Sequence, residues 1–432
     1  MALIHGRHGT HQLYIRPVHH VPCDCPEEKN WTNVQYRPMV PGVDFEDTPE
    51  QSVLREEFRT WIDDALDRLD GDDPIARAKA WQAAKFDAGL AKITWEPELG
   101  GRNGTPMEQI IFGQEEAARK TPADLFTIGL NFVGPTLRVH GTPEQKEQYL
   151  RPLLRGDTVW CQMFSEPNAG SDSAGLATRA VRDGDEWVLN GQKVWTSHAH
   201  FADYGEVLCR TNPDAPKHQG ITAFILDLRT PGVTVRPLKQ MTGTADFNEI
   251  FLEDVRVPRQ NVIGGVDDGW HVAVTTLMNE RTSIGGSGGS KRSTLPARMA
   301  ELARRRGTMN DVTRQRIVDV HIQGELLRFL GMRTLTAALQ GRQPGPGGSV
   351  AKLGLTKLKV ESAELGMQLL GPAGLLDEGE DARWVAKFLW SPGMRLGGGT
   401  DEVNRNIVAE RVLGLPGEPR TDDTLPWNQV PR

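Results

Sequence analysis

Three separated stretches gather side chains able to do chemistry. The first is Gln162-Met163-Phe164-Ser165-Glu166-Pro167-Asn168-Ala169-Gly170-Ser171-Asp172. The second is Asn190-Gly191-Gln192-Lys193-Val194-Trp195-Thr196-Ser197, and the third runs from Gly397-Gly398-Gly399-Thr400 to Val412-Leu413-Gly414. Small residues let a planar ring come close, and hydroxyls with backbone N–H groups can hydrogen-bond its edge. A core strand pair joined by a polar loop is the alternative, but it does not explain why Ser, Asn and Gly cluster where strands end. No G-x-G-x-x-G follows a strand and no Walker P-loop occurs, so a dinucleotide would have to be held another way. Residues 1–38 hold five of the 11 histidines, with Cys23 and Cys25. Their spacing matches no tetrahedral zinc pattern, so the stretch reads as a poorly ordered extension rather than a metal site. Cys161 and Cys209 read as small core residues, and His198, His200 and His271 as surface or satisfied core histidines.

The elements that must position these stretches follow from local pattern. Thr48-Pro49-Glu50-Gln51 and Thr142-Pro143-Glu144-Gln145 are both helix starts: an N-cap Thr, Pro at the first position, Gln at the third. Leu54, Phe58, Trp61 and Ala65 then recur at helical spacing. Residues 39–158 read as a helical domain broken by a loop from Pro97 to Pro106. Residues 159–265 read as a middle β domain, a barrel or sandwich. In it Asp183-Gly184-Asp185 turns a hairpin, Thr230-Pro231-Gly232 turns between two strands, and Phe247–Val257 reads as a strand pair. Residues 266–432 read as a C-terminal four-helix-bundle domain with helices near 268–305, 311–340, 350–370 and 400–413. Thr400 is the N-cap candidate of the last helix. The fold class is α+β and multi-domain, without the strand–helix alternation of a doubly wound sheet.

Composition narrows the classes. The 432 residues are 38% hydrophobic and 25% charged, which fits a large folded core. Fifty Lys and Arg against 57 Asp and Glu argue against a nucleic-acid partner. Four cysteines exclude a disulfide scaffold. No stretch is apolar enough for a membrane span and no leader is visible, so the expectation is a cytoplasmic enzyme.

In order on this background, the three stretches resemble the acyl-CoA dehydrogenase family over about residues 45–417. The resemblance implies bound FAD, held by Gln162, Phe164, Ser165, Ser171, Trp195, Thr196, Ser197, Thr400 and Glu402. Ser165 and Ser171 match positions at the isoalloxazine and the substrate-pocket edge, and Trp195 and Ser197 match positions flanking the flavin. Gln368-Leu369-Leu370-Gly371-Pro372 resembles a segment reaching FAD from a neighbouring subunit, so Gln368 and Gly371 imply a homo-oligomer (dimer or tetramer) or a hetero-oligomer. The family chemistry removes the proton α to a thioester while a hydride leaves the β carbon for the flavin, forming a 2-enoyl-CoA in lipid catabolism. Many members carry the base directly before the Gly-Thr of the last motif; here that position is Gly398. A second family arrangement puts it on the first helix after the β domain, where Glu280 matches the base and Arg281 a substrate-side Arg. Gly398 fits a relocated base and equally a lost one. Leu302-Ala303-Arg304-Arg305-Arg306-Gly307-Thr308 lacks the Phe of a family element that contacts FAD, leaving open whether one of its arginines reaches the pyrophosphate. The partners implied are an acyl-CoA and an electron transfer flavoprotein. A catalytically silent subunit, or a relative oxidising a non-CoA substrate, remains the alternative.

Overall fold

A computed structural model describes residues 47–286, 293–340, 345–376, 378–419, 422 and 424–430. The expectations for residues 1–38 lie outside these. The N-terminal part opens with α1 (Pro49–Asp67), α2 (Pro74–Asp87) and α3 (Pro106–Ala117). Each begins at a proline, which lacks the N–H a helix start leaves unbonded. Asp73 caps α2, and Thr105 with Glu108 forms a capping box on α3. Phe58 and Ile62 of α1 are buried against Trp81 of α2 and Phe112 of α3. Burial of one such side chain stabilises by about 1.5–3 kcal/mol. The box expected at Thr142–Gln145 is present, with Gln145 N donating to Thr142 Oγ1 at 3.2 Å. It opens α5 (Pro143–Gln145), between α4 (Gly134–His140) and α6 (Arg151–Arg155).

The middle part has eight strands: β1 (Trp160–Met163), β2 (Arg179–Asp183), β3 (Glu186–Ser197), β4 (Tyr204–Arg210), β5 (Ile221–Asp227), β6 (Val233–Leu238), β7 (Phe247–Pro258) and β8 (Val262–Ile263). The order is β6-β7-β3-β2-β4-β5-β8, with β1 parallel to β4. Only Arg179↔Arg210 joins β2 to β4, so the sheet folds there into two layers. Trp187, Leu189, Ile250 and Val255 of one layer pack on Cys161, Val207, Cys209 and Phe224 of the other. Alternation sends the intervening residues outward. Trp160 and Leu208 therefore join Leu137, Leu153 and Val272 in a core shared with the helices.

Two expectations are corrected. Phe247–Val257 is one strand, not a pair. Asp254 takes a left-handed φ of 51° at a register shift, and it exchanges two 3.0 Å hydrogen bonds with Asn190. The strand is bulged there rather than turned. The stretch 268–305 is two helices, α7 (Gly269–Gly286) and α8 (Leu295–Arg305). They are followed by α9 (Asp311–Leu339), α10 (Gly347–Leu370), α11 (Ala382–Trp390) and α12 (Asp401–Ile407). Helix α11 was not foreseen. It inserts Trp384 against α10 at Gly366, where a Cβ would meet the indole at 2.6 Å. Among the described residues no helix is long and apolar enough to cross a membrane, and no group of His, Cys, Asp and Glu is placed to hold a metal. Cys161 and Cys209 are fully buried.

Candidate active site

The first stretch leaves β1 as a loop that a buried ion pair pins to β3. Lys193 Nζ lies 2.7 Å from Glu166 Oε1 and donates to the Phe164 carbonyl at 3.2 Å. Glu166 also accepts from Ala177 N at 2.7 Å and Thr178 N at 3.0 Å. Burial opposes the charge on Glu166, but Lys193 and these donors outweigh it and hold its pKa below the usual value. Val194 N donates to the Ser165 carbonyl at 2.9 Å, which sets Ser165 beside the start of the Trp195-Thr196-Ser197 run.

Trp195 is the anomaly of that run. Its φ is 60°, at a bulge between Lys193 and Thr196, and the residue is 60% exposed. Left-handed backbone is costly for a bulky residue, and strained residues gather at ligand sites. The indole stands edge-on to Phe247, 5.9 Å between centroids, and Phe247 stacks on Trp390 of α11. Ser165 and Ser197 are half-buried beside it, and Ser171 is exposed at the loop's edge. A flat exposed wall held by strain, with hydroxyls at its margin, fits a flavin ring. Thr196 is buried, and its carbonyl accepts from Asn248 Nδ2 at 2.9 Å. Its hydroxyl has no partner among the described residues. His200 Nδ1 bonds Asn248 Oδ1 at 3.0 Å, and His271 pairs with Asp268, which gives both structural partners.

Glu280 lies half-buried on α7, and Gln162 Nε2 of β1 donates to its Oε2 at 3.4 Å. Burial raises its pKa, against the Gln162 hydrogen bond and the nearby Arg281 charge. Burial also lowers the Arg281 pKa; Glu280 opposes this and Arg411 adds to it. Gln162, expected at the cofactor, thus touches Glu280. One turn earlier on α7, Thr276 donates to Glu206 of β4 at 2.9 and 3.1 Å. Glu206 pairs with Gln162 across the parallel ladder and is fully buried, and among the described residues no charged side chain acts on it. Burial pushes its pKa up to about 8. Sequence reasoning missed Glu206 and Lys193: each is an ordinary charged residue until the sheet register shows that its strand is covered.

Thr400 caps α12 through Val403 N at 3.2 Å, as expected. Asp401 is committed inward to Lys352 and Arg395, and Glu402 pairs with Arg405. Gly398 and Gly399 have φ of 69° and 84°, a left-handed bend that disfavours a side chain at 398. Gln368 and Gly371 are not brought to Ser165 or Glu280. Gly348, near the start of α10, has Arg281 Cβ 3.8 Å from where its own Cβ would stand, and Gln368 lies twenty residues on, about 30 Å along the axis. Gln368 bonds Arg316 there. Arg305 and Arg306 are both bound by Asp381 at 2.7 Å.

Family models for the acyl-CoA dehydrogenase N-terminal, middle and C-terminal domains match residues 48–157, 161–255 and 267–413. Acyl-CoA dehydrogenase FadE34 of Mycobacterium tuberculosis is 42% identical over 78% of this chain, which spans 46% of that longer protein. Acyl-CoA dehydrogenase IpdE1 of the same organism is 37% identical over 84% of this chain and 98% of its own length. A solved structure described as the Tcur3481-Tcur3483 steroid ACAD superposes with a TM-score of 0.74, 29% identity, and 87% and 100% of the two chains. Three domain matches in sequence order, together with the geometry of the strained indole and its flanking hydroxyls, show that the chain belongs to the acyl-CoA dehydrogenase family of FAD-dependent oxidoreductases.

Proposed function

We propose that the chain converts an acyl-CoA thioester to its 2-enoyl-CoA with Glu280 as the base. The observation that carries this is the contact between Gln162 and Glu280, which ties a desolvated carboxylate to the strand leading into the Ser165 loop. Bound FAD supplies the acceptor for the β hydride. Gln162 holds Glu280 Oε2, so Oε1 takes the α proton. Arg281 favours the ionised carboxylate until the proton arrives. Ser165, Ser197 and Trp195 hold the ring, Ser171 borders the substrate, and Gln368 and Gly371 serve a neighbouring copy. An exposed apolar stripe on α9, Val318, Ile322, Leu326 and Phe329, supports an oligomer in which that neighbour exists. An electron transfer flavoprotein is the proposed electron acceptor.

The acyl group we assign is bulky and ring-bearing. The solved relative is described as a steroid ACAD, and three consecutive glycines, Gly397–Gly399, leave no side chain at the position where many members carry the base. The test is flavin bleaching by a panel from butyryl-CoA to steroid side-chain CoA thioesters. Because Glu280 must be ionised to act and its pKa is raised, bleaching speeds up as pH rises through an inflection above the usual carboxylate range. Glu280→Gln should lose that inflection and about 10²- to 10⁴-fold in rate. A wild-type rate in the variant overturns the base assignment. The description of the relative as two named chains favours a second reading, in which this chain scaffolds a reactive partner. No bleaching alone, restored on mixing with a related chain and indifferent to Glu280→Gln, would establish that reading instead.

A further inference from the structure

Residues after 413 lie outside the matched family domains. Those of them that the structure describes return to the β part and make a set of contacts there. Pro426 bridges Pro216, Trp427 N donates to the Ala215 carbonyl at 2.9 Å, and Asn428 N donates to the Pro213 carbonyl at 3.1 Å. Asn428 Nδ2 adds a 2.7 Å bond to Asp214. The tail is therefore paired with the loop between β4 and β5.

The same segment grips a second loop, the one carrying Ser171. Trp427 Nε1 donates to the Gly175 carbonyl at 3.3 Å. The Arg210 guanidinium lies 4.9 Å from the Trp427 ring centroid and donates to the carbonyls of Ala174 at 2.6 Å and Lys217 at 2.7 Å. Lys217 Nζ bonds Asp422 at 2.7 Å and Asp172, the neighbour of Ser171, at 3.2 Å. His218 of the first loop stands edge-on to Trp270 at the start of α7, the helix of Glu280. Two surface loops that meet at their base, where Arg210 N donates to the Thr178 carbonyl at 2.6 Å, are thus further fastened to each other through one indole, one guanidinium and one ammonium.

We infer that residues 422 and 424–430 are a strap that fixes the rim of the acyl-CoA site, with Trp427 as its positioning residue, and that it governs substrate affinity and not the chemical step. This rests on the reading that Ser171 borders the substrate. Trp427 touches none of the reacting groups, so loosening it removes binding shared by ground and transition states, which raises KM and spares kcat.

The test uses the full-length FAD-loaded protein with Trp427→Ala, Trp427→Phe and the surface variant Asn428→Ala. Hydrogen exchange read by mass spectrometry should quicken in residues 170–178 and 211–220 of Trp427→Ala and stay unchanged in α1–α3. The acyl-CoA KM should rise about tenfold with kcat within about twofold, the signature of lost uniform binding. Trp427→Phe keeps the ring under Arg210 and should recover most of the affinity. Asn428→Ala, on an exposed residue, should shift both readouts the same way by less, and it decides the matter if Trp427→Ala fails to fold. Unchanged exchange in the two loops overturns the strap. Quickened exchange with an unmoved KM overturns its link to substrate. A wild-type protein that turns over no acyl-CoA defeats the functional reading on which that link rests, while the exchange data still decide the strap.

Discussion

Glu206 makes a sharp energetic claim. It is fully buried, its carboxyl is bonded by Thr276, and its pKa stands at about 8 against an ordinary 4.5. Between those values the folded protein holds a proton that the unfolded chain has released. Stability therefore falls as pH rises through that window, by about 1.4 kcal/mol per pH unit. At pH 7 the acid forfeits about 3 kcal/mol relative to a neutral side chain, levelling near 5 kcal/mol above pH 8. Glu206→Gln keeps a carbonyl to accept from the Thr276 hydroxyl and removes the titration. The variant should match wild type near pH 4.5 and exceed it by about 3 kcal/mol at pH 7, a gap widening up to pH 8. Urea unfolding of both proteins at pH 5, 6, 7 and 8 measures it, since the difference cancels every other titrating group. A gap that stays constant with pH, or a variant weaker at pH 7, would refute the account of Glu206 as a neutral buried acid.

Other outcomes follow from the same geometry. Lys193→Met strands Glu166 beneath the loop, so it should cost about 3–5 kcal/mol of stability by chemical denaturation. Adding Glu166→Gln to it should return part of that loss; a double variant as weak as the sum of the singles would show the two do not act as a pair. Leu326→Lys places a charge in the α9 stripe and should shift the protein to a smaller species in analytical ultracentrifugation. An unchanged sedimentation profile would remove α9 from the assembly surface.

Local chemistry was readable where it is local. Thr142 and Gln145 satisfy each other within one helical turn, and Gly184 with a φ of 62° turns its hairpin between adjacent strands. The Ser165 loop and the Trp195 run were visible because small and hydroxylated residues are uncommon in such density. What escaped depends on distant partners. Asp254 looks like a turn residue until Asn190, 64 positions away, bonds it into a bulge. Helix α11 docks where Gly366 leaves room for the Trp384 indole. The bond from Gln162 to Glu280 is equally hidden, since nothing in the neighbourhood of Gln162 reveals that α7 packs beside β1. Trp427 could not announce a strap, since both its loops are defined by strands two hundred residues upstream.

Helix α10 carries one further consequence. One end packs by Arg281 of its own chain, and the other, about 30 Å on, presents Gln368 and Gly371. With those residues serving a neighbouring copy, as proposed, flavin occupancy and subunit association share a single free energy. Cofactor retention then obeys mass action in the protein itself. Dilution alone should bleed FAD from the enzyme, and added FAD should hold together an assembly that dilution would otherwise dissolve.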